Sequence, residues 1–343
     1  MKPSRILVLM HETLVPPERL AGFTSQQIEE FRTEYDVVQQ LKASGHEVRC
    51  IGLGDNLSEL TDVIKSWRPH IAFNLAEEFQ GLVNRDQHVV SFLELMKLPY
   101  TGCNPKGLVL SRDKSLSKQL LVFNGVQTPK FVVFPKGRRF VVPDELKFPL
   151  FVKSVSDDAS FGIAQASIVY DSVQLKKRVE FVHTQTGSDA LVEEFISGRE
   201  LYVGVIGNQR LNTYPIWEMD FGLVTSDSAA IATRKVKWDA KYRLKHGIDS
   251  RQARGLSPKI KAQILEMAVR GYRALSLSGY ARMDFRLSNQ GQLYLLEANA
   301  NPCLAAEEDF AQSAAVGGDH YARLLERILS LGKNYYRNSV RIN

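Results

Sequence analysis

The sequence predicts a mixed fold, an N-terminal parallel α/β unit followed by α+β units, and three observations predict it. Apolar strands and helices alternate from Ile6 to Lys97. Strands become frequent beyond about Ser188. A turn cluster, Ser288-Asn289-Gln290-Gly291, separates two apolar runs near the C-terminal end.

The elements can be read off in order. Ile6–Met10 reads as a strand, Ser25–Ser44 as a helix stopped by Gly45, Glu47–Ile51 as a strand, Asn56–Trp67 as a helix, Ile71–Leu75 as a strand and Asp86–Lys97 as a helix. Strands alternating with helices imply βαβ units and a parallel sheet covered on both faces. Ligands of such sheets sit beyond the carboxyl ends of the strands, which marks the loops after Met10 and Leu75 as substrate loops. From about Ser111 the pattern changes: a helix over Lys114–Phe123, strands over Phe131–Phe134 and Leu150–Ser154, and a helix near Ser172–Phe181. Strands then come at Leu191–Phe195, Leu201–Ile206 and Leu211–Trp217. The polar stretch from Asp239 to Leu256 reads as an active-site loop or lid. An amphipathic helix over Pro258–Leu277 leads into strands at Tyr280–Leu287 and Gln292–Ala298.

Bulk properties narrow the function classes. The 343 residues correspond to two or three units at roughly 100–200 residues each. Composition is ordinary for a globular chain, 44% hydrophobic and 24% charged, so a substantial core is expected. The net charge of +6 is modest for this length, and no stretch is dense enough in Lys and Arg to make a nucleic-acid patch. The cysteines Cys50, Cys103 and Cys303 are too few and too scattered for a disulfide framework or a zinc cluster. The apolar run Ile6–Met10 is too short for a membrane span or a signal-peptide core, and a cytoplasmic protein with no membrane partner is expected.

The C-terminal strand pair carries the strongest chemistry. Side chains alternate along a strand, so Arg282 shares a face with Asp284, and Glu297 with Asn299. A two-residue loop at Gln290-Gly291 would place Asp284 opposite Glu297 and Arg282 opposite Asn299. Two carboxylates and an amide oxygen form a hard donor set for Mg²⁺ shared with nucleotide phosphates. An arginine beside them suits a transferring phosphoryl group or an oxyanion. A solvated face of compensating charges is the plainer alternative, but the neighbouring Tyr294-Leu295-Leu296 is apolar and favours a buried polar site.

Two further segments fit a nucleotide. Lys153, at the end of the strand Phe151-Val152-Lys153, can reach a phosphate, and the small residues Ser156 to Gly162, including Ser160, let backbone N–H groups approach its oxygens. Lys114, at a helix start, is a weaker candidate for the same role, since taken alone it reads more readily as a solvated helix lysine. Phe195 and Ile196 can line an apolar slot for a purine, although simple core packing explains Phe195 equally well, and Glu200 can accept hydrogen bonds from ribose hydroxyls.

In this order and spacing the segments resemble the ATP-grasp superfamily, and most nearly the D-alanine–D-alanine ligases, from about Ile71 to Leu329. The resembling segments include Phe92 to Gly102, Asp113-Lys114, Lys153, Glu193 to Glu200, Ala240-Lys241-Tyr242, Arg282-Met283-Asp284 and Tyr294 to Asn299. The resemblance implies an ATP-grasp fold preceded by a parallel α/β (pre-ATP-grasp) domain. Its units would be an N-terminal substrate domain over 1–110, a central ATP-grasp subdomain over 111–187 and a C-terminal ATP-grasp subdomain with the metal site over 188–343. It assigns Asp284, Glu297 and Asn299 to two Mg²⁺ ions, with Mn²⁺ as a substitute, and Lys114, Lys153, Ser160 and Lys241 to the phosphates. Glu193, Phe195 and Ile196 would hold adenine and Glu200 the ribose, Leu296 would also contact ATP, and Arg282 with Lys241 would serve catalysis. The implied activity joins a small-molecule carboxylate to an amine through an acylphosphate, releasing ADP and phosphate, and the implied assembly is a homodimer.

Departures from the family pattern lie on the substrate side. The family's glycine-rich turn after the first strand is replaced by the run from His11, Glu12 and Thr13 to Arg19, and its His-Gly loop by Asn74 to Gly81 with Glu77. A serine of the phosphate loop falls on Ala159. The pocket for the second substrate's carboxylate becomes Pro302-Cys303-Leu304 and the acidic run Glu307-Glu308-Asp309. Acids there repel a carboxylate and favour an amine or a basic amino acid. A bare helix N-terminal charge cluster is the plainer alternative for that run. Substrate contacts are expected at His11, Glu12, Glu77, Tyr242, Glu307 and Glu308, with Cys303 a spectator. Other functions in view are modification of a peptide or protein terminus, D-Ala-D-Ala synthesis itself, and nucleotide binding without catalysis, which has no need of Arg282.

Overall fold

The computed structural model describes residues 2–138, 140, 146–156, 164–222, 242–243 and 246–340. Three sheets succeed one another along the chain. The first holds β1 (Arg5–His11), β2 (Glu47–Leu53) and β3 (Ile71–Asn74) in the parallel order β2-β1-β3. Central β1 buries Ile6 to Met10 without interruption, as a parallel strand covered on both faces requires. Helices α1 (Ser25–Glu30), α2 (Arg32–Ala43), α3 (Ser58–Trp67) and α4 (Asp86–Leu95) belong to this part. The single helix expected over Ser25–Ser44 is two, because Phe31 leaves the helical region at φ −118°. The helix expected to run through Lys97 ends at Leu95, and Lys97 adopts φ 55°.

Helices α5 (Pro105–Arg112) and α6 (Lys114–Phe123) lead to the second sheet, of β4 (Phe131–Phe134), β5 (Leu150–Ser154), β6 (Ile168–Val169) and β7 (Ala190–Glu194), in the antiparallel order β4-β7-β5-β6. Helix α7 (Ser172–Thr186) packs against it.

The third sheet runs β11-β10-β8-β12-β13, all antiparallel, with β9 paired to β8. Its strands are β8 (Gly198–Ile206), β9 (Asn212–Thr213), β10 (Trp217–Asp220), β11 (Asp249–Gln252), β12 (Tyr280–Ser288) and β13 (Leu293–Ala300). The expected strand over Leu211–Trp217 is therefore two short ones. Within the expected lid, Asp249–Gln252 is an edge strand on β10, while 239–241 and 244–245 lie outside the described residues. Helix α8 (Pro258–Ala274), capped by the Ser257 hydroxyl, covers β8, β12 and β13. Two helices follow, α9 (Asp309–Val316) and α10 (Tyr321–Tyr335), the second running into a π-helical turn over Tyr336–Val340.

Helix α10 returns to pack on β3 and α2, so the last helix completes the first sheet's core. Gly332 allows this approach, since a Cβ there would stand 2.2 Å from the Tyr100 carbonyl oxygen. The first and third parts are tied at one edge: Asn301 Oδ1 accepts from the Cys103 amide at 2.7 Å, and Asn104 Nδ2 donates to the Ser276 carbonyl at 2.8 Å.

Candidate active site

One face of the third sheet is polar. On β12, Arg282, Asp284 and Arg286 alternate with buried Met283 and Phe285. Facing them on β8 are Gly204, Tyr202 and Glu200 in register. On β13, Asn299 lies opposite Arg282 and Glu297 opposite Asp284. Arg282 donates to both Asp284 oxygens, Nε to Oδ1 at 2.8 Å and Nη2 to Oδ2 at 2.9 Å. Asn299 Nδ2 donates to Asp284 Oδ2 at 3.0 Å. The Arg282 guanidinium also lies over the Tyr202 ring, 4.7 Å from its centre. Burial works against the charge on Arg282, but Asp284 outweighs it and holds the pKa well above the usual arginine value.

Register past this point differs from the two-residue turn. Three residues, 289–291, loop between Ser288 and Gln292, and the Ser288 amide donates to the Gln292 carbonyl at 2.8 Å. That slips the pairing by one. A bulge at Leu296 slips it back, because Phe285 pairs with Leu295 while Asp284 pairs with Glu297.

The bulge leaves the Leu296 carbonyl out of the ladder, and Lys118 Nζ donates to it at 3.1 Å. Lys118 also stands 2.7 Å from Glu193 Oε2, and Lys153 Nζ stands 2.8 Å from Glu193 Oε1 and 3.9 Å from Glu297 Oε2. Lys118, Lys153 and Glu193 are all buried, which is tolerable only because the charges oppose one another. Burial opposes the charge on Glu193, yet the two lysines bring its pKa below the usual carboxylate range. Burial pushes Lys118 down, with Glu193 opposing. Burial also works against Lys153, but Glu193 and Glu297 together raise it. Sequence pattern alone misses Lys118. The one available signal is the stripe Lys114, Ser117, Lys118, Leu121 at helical spacing, all of it buried in the fold.

Of the other expected nucleotide residues, the structure describes Lys114, Phe195, Ile196 and Glu200. Lys114 is buried at the start of α6, whose cap is the Asp113 side chain, and its amide donates to the Val155 carbonyl at 3.1 Å. Phe195 and Ile196 come just after β7 and are half-buried. Glu200 is buried and accepts from Arg286 at 2.6 Å and from the Tyr202 hydroxyl at 2.7 Å. Ser160, Lys241 and Ala159 lie outside the described residues.

A second group of acids gathers where α2 meets the loop after β13. Thr33 Oγ1 and Cys303 Sγ lie 3.0 Å apart, and the Ala306 amide donates to Asp36 Oδ2 at 3.0 Å. Glu34, only 6% exposed, heads an otherwise apolar stripe with Val37, Val38 and Leu41. Burial, then the charge on Glu77, push its carboxyl up to about 7. Glu77 is exposed at the surface, and its carboxyl is raised above the usual range by desolvation, with Arg112 opposing and Asp86 and Glu78 adding to the rise. Glu308 is also raised, by burial and by Asp309, with Arg243 and Arg282 opposing. Cys303 is pushed up to about 12, mainly by burial, so its thiol is a poor nucleophile and fits the spectator role. Glu307 is exposed. His11 caps a short 3₁₀ turn beginning at Glu12, with Nε2 3.4 Å from Glu78 Oε1. Glu12 lies against the end of β2, where a Cβ on Gly54 would meet its Oε2 at 2.4 Å. Tyr242 packs against the cluster of Tyr202, Trp217, Met219 and Ile248, with its ring tilted to that of His246 at 4.3 Å between centres. Glu34 escapes a reading of the sequence because a lone acid early in a helix looks like solvated surface.

The donor set at Asp284, Glu297 and Asn299 fits a hard cation. Among the described residues no three His, Cys, Asp or Glu side chains gather for a metal. Two carboxylates with an amide oxygen leave coordination positions for phosphate oxygens, the usual arrangement for Mg²⁺ carried by a nucleotide. No helix among the described residues is long and apolar enough to cross a membrane.

With this fold, the similarities that follow make the chain an ATP-dependent ligase of the ATP-grasp type, which forms C–N bonds between a carboxylate and an amine. The family described as D-ala D-ala ligase C-terminus matches residues 120–330, and the chain belongs to that family. A relative from Sinorhizobium fredii, named only as an uncharacterized protein, is 34% identical over 89% of this chain and 88% of its own length. A D-alanine--D-alanine ligase of Oleidesulfovibrio alaskensis is 30% identical over 85% of this chain and 88% of its own. The fold is shared with the D-alanine--D-alanine ligase of Bacillus anthracis solved in complex with ATP, at a TM-score of 0.73 and 24% identity, covering 97% of this chain and 99% of that one.

Proposed function

We propose that the chain activates an amino acid carboxylate with ATP as an acylphosphate and passes the acyl group to an amine that carries positive charge, releasing ADP and phosphate. The observation that carries this reading is the polar face of Arg282, Asp284, Glu297 and Asn299, with the acids of α2 and the loop after β13 beside it. The carboxylate oxygen attacks the γ-phosphorus, and ADP leaves with the β–γ bridging oxygen. The attacking nitrogen, deprotonated so that its lone pair is free, then adds to the acyl carbon, and the C–O bond to phosphate breaks. The proton lost from that nitrogen passes to the departing phosphate or to solvent, while the positive charge sits elsewhere on the basic substrate. Negative charge builds at both steps, and preorganised cations lower both barriers.

Lys114, Lys153 and Lys241 suit the phosphates, with Ser160 in the loop after β5. Glu193, Phe195, Ile196 and Leu296 suit adenine, and Glu200 suits the ribose. Arg282, whose guanidinium is paired with Asp284, suits the oxyanion of the tetrahedral intermediate. Asp284, Glu297 and Asn299 would hold two Mg²⁺ ions, or Mn²⁺ in their stead, which supply charge neutralisation at the nucleotide's tail. Glu77 and Glu308, with Glu34 behind them, suit the cationic amine, which would draw all three towards their ionised forms. The units 1–110, 111–187 and 188–343 would close on ATP between the last two, and a cytoplasmic homodimer completes the reading.

The test is phosphate release from ATP with a panel of amino acids, singly and in pairs, combined with mass spectrometry of products. Release that requires both a carboxylate and a basic amine supports the reading. Release with D-alanine alone would make this a D-Ala-D-Ala ligase, and release only with peptides would make it a terminus-modifying enzyme.

A further inference from the structure

Arg286 stands on β12 directly across from Glu200 on β8, and only 4% of its surface reaches solvent. Nη2 donates to Glu200 Oε2 at 2.6 Å, and Nη1 donates to the Gly198 carbonyl at 2.9 Å. The Tyr202 hydroxyl donates to the other oxygen, Glu200 Oε1, at 2.7 Å. The guanidinium carbon lies 5.9 Å from the ring centre of Phe195 and 6.0 Å from that of Phe221, within cation–π reach. One buried cation thus joins a fixed carboxylate, the backbone entering β8, and an aromatic side chain just past β7.

A carboxylate offers about four lone-pair sites, and Arg286 and Tyr202 occupy one on each oxygen. The remaining lone pairs can accept two further O–H donors without moving the group. An acceptor pinned from two sides is preorganised, so a vicinal diol binds it with little rotamer loss. A ligand lacking one hydroxyl leaves a buried lone pair unmatched, which a polar site penalises heavily.

We propose that Arg286 is a positioning residue that fixes Glu200 as acceptor for the ribose diol of ATP, and that this pair makes the protein select ribonucleoside over deoxyribonucleoside triphosphates. The proposal rests on the ATP-dependent reading above and deepens it at the sugar. Tyr202 is the second support of the same acceptor, and Phe195 is held in place by the same guanidinium.

The experiment is calorimetric binding of the magnesium complexes of ATP, 2′-deoxy-ATP and 3′-deoxy-ATP to the full chain, as wild type, Arg286→Met, Arg286→Lys and Tyr202→Phe. The wild type is expected to favour ATP over at least one deoxy analogue by roughly tenfold or more, one hydrogen bond to a charged group. Arg286→Met weakens ATP roughly tenfold and levels the three nucleotides, and Arg286→Lys restores part of the preference. Tyr202→Phe, which keeps the cation, reduces the preference without abolishing it. Should Arg286→Met fail to fold, Arg286→Lys and Tyr202→Phe carry the test through their intermediate preferences. A wild type that binds all three nucleotides equally, or folded variants that keep the full preference, would overturn the proposal. A wild type that binds no ATP at all would instead overturn the nucleotide reading itself, so the two failures are distinct.

Discussion

Asp284 and Glu297 stand opposite one another across β12 and β13, and they do so because a three-residue loop and a bulge cancel. Without the bulge at Leu296, the loop alone would turn Glu297 to the other face of the sheet, since a slip of one residue inverts a strand's side chains. The bulge therefore puts both carboxylates on one face and frees a carbonyl for Lys118.

Glu297→Gln keeps the hairpin and removes one charge from the cation site. Phosphate release is expected to fall by about a hundred- to thousandfold, the scale of losing one preorganised electrostatic group. Circular dichroism checks that the fold survives, since Glu297 is partly exposed.

Lys118→Met removes one of the two cations that balance buried Glu193. Stability is expected to drop by about 1–3 kcal/mol, because a buried acceptor loses its partner while Lys153 remains. Urea unfolding midpoints for Lys118→Met, Glu193→Gln and the double variant form the cycle that measures the coupling. An additive double variant would show that the two side chains do not act together.

Glu34 carries a pH signature. Its folded pKa of about 7 lies above the ordinary 4.5, so the folded state holds this proton more tightly than the unfolded chain. The stability it gives as a neutral acid is full below about 4.5 and is lost as pH rises through about 7. Glu34→Gln, which cannot ionise, is expected to unfold at a higher denaturant concentration than wild type at pH 8, by up to about 3 kcal/mol, with the gap closing at pH 4.5. Equal gaps at both pH values would show that Glu34 does not titrate between them.

Charge at the second substrate is read by Glu77→Gln and Glu308→Gln. Each is expected to lower kcat/KM for a basic amine by roughly tenfold, about the value of one charge-assisted contact, and to affect a neutral amine less. Parallel kinetics with matched cationic and neutral amines make the comparison. Equal losses for both amines would show that these acids do not read charge.

The hairpin is legible in the sequence because alternation fixes which side chains share a face, and turn residues fix where the chain reverses. Arg282, Asp284, Glu297 and Asn299 can be placed together from that, but the two-residue turn it assumes is a three-residue loop in the structure. The pairing survives only because the bulge at Leu296, which no local pattern shows, restores the register. Lys118, Arg286 and Glu34 are not legible in the same way. Glu34 is an acid that burial holds towards its neutral form, while Lys118 and Arg286 are charged residues buried by a distant part of the chain, Lys118 by Glu193 and Leu296 and Arg286 by Glu200. Local pattern reads such residues as solvated surface, and only tertiary pairing makes their burial tolerable. The break of the first long helix at Phe31 is likewise invisible, because the flanking helical pattern runs straight through it.

The most direct test tracks one oxygen atom. With the amino acid substrate labelled by ¹⁸O in its carboxylate, an acylphosphate route carries one labelled oxygen into the released phosphate for each bond formed. Phosphate bearing a single ¹⁸O, in step with product, is the predicted result. Unlabelled phosphate released alongside labelled product would show that the carboxylate never takes the phosphoryl group, and would contradict the central claim.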